Sequence, residues 1–399
     1  MVRGRTRRGE NPAEFMLDVI GAGATATSSQ DWEAVWRKSS ESSQFREELE
    51  RIQAEGRARG AVEAELHADF ATPWIQQATS LFRRDIRFRW RNPTYLLAKL
   101  VLNIASGLFI GFTFYKPKAT QQGTQNQLFA IYMSTILAAP LSNQLQVPFL
   151  EMRNIYEIRE GPTKFYSWTA LITSAFLSEL PWNIIGSSLY FLCWFWTVGF
   201  DNDRAGYTYL MLGVVFPLYY TSLGQAVASM APNAEIAAVL FSFFFSFILT
   251  FNGVLQPFRA LGWWQWMYRV SPFTYMTEGL LGQALGRHPI TCSAVELVTI
   301  EPPAGQTCGQ FMATYISNAG GYLTNQDATS ACQFCSTATT DQFLGASFNI
   351  FYSHHWRNTG LLFVYIGVNI ISLYLMTYIF RVRTTSIFSV FRRGKKSSN

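Results

Sequence analysis

The chain has 399 residues and a formal charge of +6, with 49% hydrophobic, 16% aromatic and only 15% charged residues, against about 25% charged in an average soluble domain. Residues 1–91 carry 15 of the 32 Lys and Arg, residues 381–399 carry six, and eleven are spread over everything between. That partition excludes an ordinary soluble domain and points to a membrane body with two polar ends, so the positive balance reads as topology rather than as a nucleic-acid surface.

Residues 1–71 read as soluble. The basic opening "MVRGRTRRGENPAEF" has no apolar core behind it, so no cleavable leader is expected there. In "DWEAVWRKS", Asp31 is placed to cap a helix, and Phe45, Leu49 and Ile52 recur at helical spacing among charges. This predicts a small helical piece or linker without a large core.

Residues 73–92, "PWIQQATSLFRRDIRFRWRN", interleave five arginines with aromatics. The pattern fits an interfacial helix whose arginines snorkel to headgroups; a solvated basic helix or a nucleic-acid surface shares it. An apolar span starts directly after Pro93.

Six spans of adequate length are expected at 94–114, 128–149, 167–198, 207–229, 235–255 and 359–380. The third is long enough to be one helix kinked at Pro181 or two spans joined at "SELPW". One span keeps the tail "RVRTTSIFSVFRRGKK" inside, in accord with the positive-inside rule, so six spans with both termini cytoplasmic are predicted. Gly107 and Gly111 form a G-x-x-x-G that allows close helix approach in span one. Glu179 is the only acid well inside a span, hence a candidate for proton coupling or for a structural role beside the carbonyl freed by Pro181.

Between spans two and three lies "EMRNIYEIREGPTKFYSW", whose three acids and three bases cancel. It reads equally as a short helix docking on a protein surface or as a solvated loop, with Gly161 and Pro162 ending it. Residues 256–358 form a long outside segment that opens with the amphipathic, Trp-rich "LGWWQWMYRVSPFTYMTEGLLGQAL". This suits an interfacial or re-entrant pair, and Arg269, Pro272 and Glu278 argue against a seventh span. Cys292, Cys308, Cys332 and Cys335 all fall there and imply disulfides in one of three pairings. A metal or redox site is the rival reading, from the single C-x-x-C. Cys193 reads as packing in the third span. The histidines form no metalloenzyme motif, and no G-x-S-x-G elbow occurs.

The fragments "ENPAEFMLDVIGAG", "DWEAVWRKS", "RNPTYLLAKL", "RNIYEIREGPTKFYSW", "SELPW" and "FNGVLQPFRALGWWQWMYRVSPFTYMTEGLL" occur in that order. Together they resemble the C-terminal membrane half of pleiotropic-drug-resistance ABC transporters, the fungal-type full-length members of the G subfamily, over residues 10 to about 385. The resemblance implies an all-α polytopic membrane protein with six transmembrane helices, an N-terminal interfacial connecting helix and a long disulfide-stapled extracellular loop between spans five and six. It divides the chain into a cytoplasmic linker (1–71), the transmembrane domain through span five and the re-entrant segment (72–285), the loop (286–358), and span six with its tail (359–399).

The resemblance makes the segment after span two a coupling helix, with Arg153, Tyr156, Glu157, Arg159 and Glu160 as contacts to ATP-binding domains. Spans two and five would line the substrate path, through Asn143, Gln146, Phe241, Phe244, Phe247 and Asn252. The expected partners are nucleotide-binding domains, a second six-span half, the lipid bilayer of the plasma membrane and a hydrophobic small molecule, with no nucleic acid. No G-x-x-x-x-G-K-[ST] phosphate loop and no Leu-Ser-Gly-Gly-type signature occur in these residues. ATP and magnesium are therefore expected on domains outside the sequence, and no cofactor or catalysis within it. The chain is expected to be part of a longer protein or a subunit with a separate ATPase. A self-sufficient secondary transporter would call for internal inverted repeats, and none is evident between spans 1–3 and 4–6.

Overall fold

The computed structural model describes residues 12–21, 28, 30–58 and 69–383; the basic opening, His67 and the basic tail lie outside the described residues. Two compact units divide near Asp69. The first holds α1 (Pro12–Ile20), α2 (Trp32–Arg37) and α3 (Ser40–Ala58). Asp31 caps α2 by accepting from the Ala34 amide at 3.1 Å, as its side chain and position dictate. Phe45, Leu49 and Ile52 line one side of α3 and are all exposed, so the described residues of this unit form helices with no hydrophobic core among them.

The second unit begins with α4 (Trp74–Trp90). Asn92 accepts from the Tyr95 amide, and Pro93 opens α5 (Pro93–Thr113) at a position where no amide donor is needed. After α6 (Gln121–Ile136) the helix shifts at Leu137 into α7 (Ala138–Ile155), which ends in a wide turn over Tyr156–Glu160. Next comes α8 (Trp168–Val198), 31 residues in one continuous helix through Pro181, stopped by Gly199 at φ 85°. α9 (Ala205–Tyr209) runs through a wide turn into α10 (Phe216–Met230), and α11 (Ala234–Thr250) follows, capped by Asn233. α12 (Gln265–Val270) and α13 (Pro272–Leu285) lead to a small module, and α16 (His355–Thr377) closes the described fold.

Four of the described helices are long and apolar enough to cross a membrane: Pro93–Thr113, Gln121–Glu160, Asn202–Met230 and Tyr352–Val382. The expected third and fifth spans are helices too, but of different character. α11 has 17 residues and is short for a crossing that takes about 20. α8 has the length but presents Ser174, Ser178, Glu179, Asn183 and Ser187 inward, all buried. The amphipathic reading of 256–285 also divides. Trp263, Trp264 and Trp266 are exposed, whereas α13 is buried almost throughout and packs on α16.

Helix contact in a bilayer gains little from hydrophobic transfer, so close packing and polar pairs must hold the bundle. Both are visible. The amide-lined groove of α5 admits α8 at Gly107 and Gly111. A Cβ at Gly107 would fall 2.9 Å from the Tyr190 carbonyl oxygen, and one at Gly111 would fall 2.8 Å from Cβ of Thr197. Gly111→Leu is therefore expected to destabilise the α5–α8 pair by about 1–3 kcal/mol through overpacking. The thermal midpoint of the detergent-purified protein reads this, with Gly360→Leu, which meets nothing within 4 Å, expected to leave it unchanged.

The module between α13 and α16 contains β1 (Val298–Ile300), α14 (Cys308–Ala319), β2 (Tyr322–Leu323), β3 (Cys332–Cys335) and α15 (Thr340–Phe348). Its sheet has the antiparallel order β1-β3-β2. The disulfides are Cys292–Cys335 and Cys308–Cys332, so the C-x-x-C cysteines pair with separate partners. The module grips the start of α6. Glu296 accepts from the Gln122 amide at 2.7 Å, where a helix N-terminus favours a carboxylate, and Thr291 donates from its amide and hydroxyl to the Ala119 carbonyl.

Candidate functional site

Two tiers of polar contact tie α4 to α8 and to the turn that precedes it. The deeper tier centres on Glu179, fully buried in α8. Its carboxylate accepts from Arg89 Nε of α4 at 2.7 Å, from the Tyr95 hydroxyl at 2.6 Å and from Lys99 Nζ of α5. Arg89 also donates to Ser178 Oγ, and Lys99 to Asn183 Oδ1. Asn183 passes the connection to Thr221 of α10 at 2.6 Å. Three helices thus share one buried carboxylate and two buried cations. The expectation that Glu179 draws its polar company from the carbonyl freed by Pro181 is corrected: the company is two cations and a tyrosine hydroxyl from two other helices. Arg89 is likewise no headgroup arginine, since it is 1% exposed.

The second tier lies at the turn itself. Glu160 pairs with Arg84 of α4 at 3.1 Å and accepts from the Tyr166 hydroxyl, to which Arg84 also donates at 3.3 Å. Burial alone would lower the Arg84 pKa, but the Tyr166 contact and the Asp85 and Glu160 carboxylates hold it above its ordinary value. Burial, joined by the Glu160 hydrogen bond, pushes the Tyr166 phenol up, so the pair stays guanidinium and neutral donor at neutral pH. Beside it Asp85 accepts from Ser174 Oγ at 2.6 Å, and Gln77 bridges the Thr72 carbonyl and the Ser167 amide. α4 is therefore pinned to the start of α8 and to the turn by side chains of its inner face.

Arg153 belongs to this frame rather than to an outer surface. Its side chain is buried and donates to the carbonyls of Ala228, Ala231 and Pro232 at the end of α10, at 2.8–3.2 Å. It also lies 3.3 Å from Glu157, which faces Arg381 at 3.7 Å. The ring of Tyr156 packs against Tyr166 with centroids 5.3 Å apart. Of the five residues expected to reach outward, only Arg159 does so fully, with its side chain 76% exposed. The sequence reading missed two apolar residues beside it: Ile158 is 82% exposed and Phe165 is 70% exposed. An exposed apolar pair in a charged segment was the available signal.

The residues expected along the substrate path separate in the same way. Gln146 is buried and donates to the Gly224 carbonyl, Phe241 is buried against Phe245, and Asn252 is buried and accepts from the Val254 amide. Asn143 is half-buried, and its Oδ1 has no hydrogen-bond partner among the described residues. Phe244 and Phe247 remain exposed on α11, next to Phe243. A further buried carboxylate, Glu278 of α13, accepts from Asn358 at 2.8 Å and pairs with His354 at 2.7 Å. Its sequence context marked it only as an interruption of apolar residues.

Residues 76–285 match the ABC-2 type transporter family, and residues 320–399 match a family described as CDR ABC transporter. The Brefeldin A resistance protein of Schizosaccharomyces pombe is 44% identical over 384 residues, 93% of this chain and 25% of that protein. The ABC multidrug transporter AFR2 of Cryptococcus neoformans var. grubii is 39% identical over 94% of this chain and 26% of its own length. For the ABC multidrug transporter SNQ2 of Candida glabrata the values are 36%, 98% and 27%. The chain spans about a quarter of the length of these relatives.

Proposed function

Because the chain belongs to the ABC-2 type transporter family, in its pleiotropic-drug-resistance branch, we propose that it forms the membrane-spanning half of an ATP-driven exporter of hydrophobic or amphipathic compounds. The ATPase domains and a second six-span half are its proposed partners, in the plasma membrane. α8 and α11 would complete six spans with the four longer helices. Disulfides persist in oxidising compartments, so the module with Cys292–Cys335 and Cys308–Cys332 lies outside. Parity then puts the turn after α7, and both termini, in the cytoplasm.

One observation carries the coupling role of that turn. Glu160 is tied to Arg84 of α4, Arg153 to the end of α10, and Glu157 to Arg153 and Arg381, while Ile158, Arg159, Lys164 and Phe165 stand outward. A frame offering a small apolar knob flanked by the two exposed cations Arg159 and Lys164 fits docking into a cleft of another domain, because motion of the docked knob would be passed to α4 and α10 through Arg84 and Arg153. On the membrane side, Phe244 and Phe247 of α11 offer an aromatic wall to the second half, of the kind amphipathic substrates favour. Phe241 stacks on Phe245 along the buried face of the same helix.

The test is ATP-dependent uptake of a hydrophobic fluorescent dye into inside-out proteoliposomes holding this chain together with the proposed ATP-binding domains and second membrane half. Uptake is expected for the unaltered protein, and Phe244→Ala with Phe247→Ala should reduce it several-fold, since an aromatic contact contributes on the order of 1 kcal/mol. No ATP-dependent uptake of any hydrophobic probe would refute the exporter reading.

A further inference from the structure

The arginines of α4 fall into two groups. Arg89 is buried and Arg84 partly exposed at the groove's edge, and both are paired with carboxylates. Arg83, Arg87 and Arg91 are exposed and have no carboxylate partner among the described residues. Their spacing of four puts them in one row along the helix, about 6 Å apart in rise. They line a groove of about 850 Å³ with Ser80, Arg84 and Asn92, and no Asp or Glu contributes to it. Phe88 and Pro93 close its apolar side.

We propose that this groove is a binding site for an anionic phospholipid whose headgroup carries more than one phosphate, at the inner surface of the bilayer. Guanidinium forks suit phosphate geometry, and a row of three matches a headgroup with phosphates at separate positions better than a single phosphodiester. The occupant is a lipid rather than a free phosphate because the groove opens where α5 begins. α5 leaves it with Leu97, Val101, Leu108 and Phe109 exposed, which gives acyl chains an apolar path directly below the headgroup. Trp90, 68% exposed beside the row, is the amphipathic ring that favours this depth. The site depends on α4 lying at the bilayer surface and not on transport.

Native mass spectrometry of the full chain, titrated with phosphatidylinositol 4,5-bisphosphate and with phosphatidylcholine, tests it. The unaltered protein is expected to retain the bisphosphate lipid in preference. The triple variant R83Q/R87Q/R91Q should bind that lipid on the order of 100-fold more weakly, since each basic residue near an anionic surface contributes about a five-fold factor. Phosphatidylcholine retention should stay the same, and Arg259→Gln, outside the groove, should change neither. Unchanged binding by the triple variant overturns the site, as does equal loss in Arg259→Gln. Should the triple variant fail to fold, equal retention of the two lipids by the unaltered protein overturns it. Loss of ATP-domain association with unchanged lipid retention would assign the row to an acidic protein surface and also overturn it.

Discussion

Glu179→Gln is expected to lower the stability of the helix bundle by about 3–5 kcal/mol, the usual cost of removing one member of a buried ion pair. The reason is the count of charges. Arg89 and Lys99 are both 1% exposed and share this single carboxylate, so its neutralisation leaves two cations facing each other without an anion. Lys99→Gln should cost clearly less, because Glu179 keeps Arg89 at 2.7 Å and the cluster becomes neutral. Combining the two should be less damaging than the sum, as contacting residues are non-additive by roughly 0.5–3 kcal/mol. Thermal unfolding of the three purified variants in one detergent checks the order. Equal losses for Glu179→Gln and Lys99→Gln would mean that charge balance does not govern the cluster.

Arg153→Met is expected to cost about 3 kcal/mol, from the loss of charge-assisted hydrogen bonds and the orphaning of buried acceptors. Three carbonyls at and beyond the end of α10 turn to this guanidinium. Arg381 reaches the same end of the helix, at 2.5 Å from the Ala231 carbonyl, but does not touch Ala228 or Pro232 by any described bond. Methionine keeps most of the apolar stem, so the loss reports the hydrogen bonds rather than packing. Hydrogen exchange of amides in 226–234 should rise in the variant. Unchanged exchange there would place the stability of this helix end on Arg381 instead.

Local signals were legible and distant ones were not. The cap at Asp31, the start at Pro93 and the close approach at Gly107 and Gly111 depend on a few adjacent residues, and they formed where the sequence placed them. The outer cysteines read as disulfides, and geometry then chose one of three pairings. The partners of Glu179 lie 80 and 90 residues away, and nothing in a basic-aromatic helix distinguishes the arginine that turns inward from those that face water. The carbonyls that Arg153 serves lie 75 to 79 residues away, at and beyond the end of α10, and were illegible for the same reason. Ile158 and Phe165 escaped notice because apolar residues carry no contrast in a chain that is half apolar. In a charged turn they are the informative ones.

The most direct measurement is dye moved per ATP hydrolysed in proteoliposomes that hold this chain with the proposed ATP-binding domains and second membrane half, for the unaltered protein and for Ile158→Asp combined with Phe165→Asp. Both positions are exposed, so folding and the aromatic wall of α11 should be untouched. If the turn is the mechanical joint, ATP hydrolysis continues while dye movement per ATP falls at least ten-fold. An unchanged ratio would contradict the joint and leave the turn as an ordinary connection between α7 and α8.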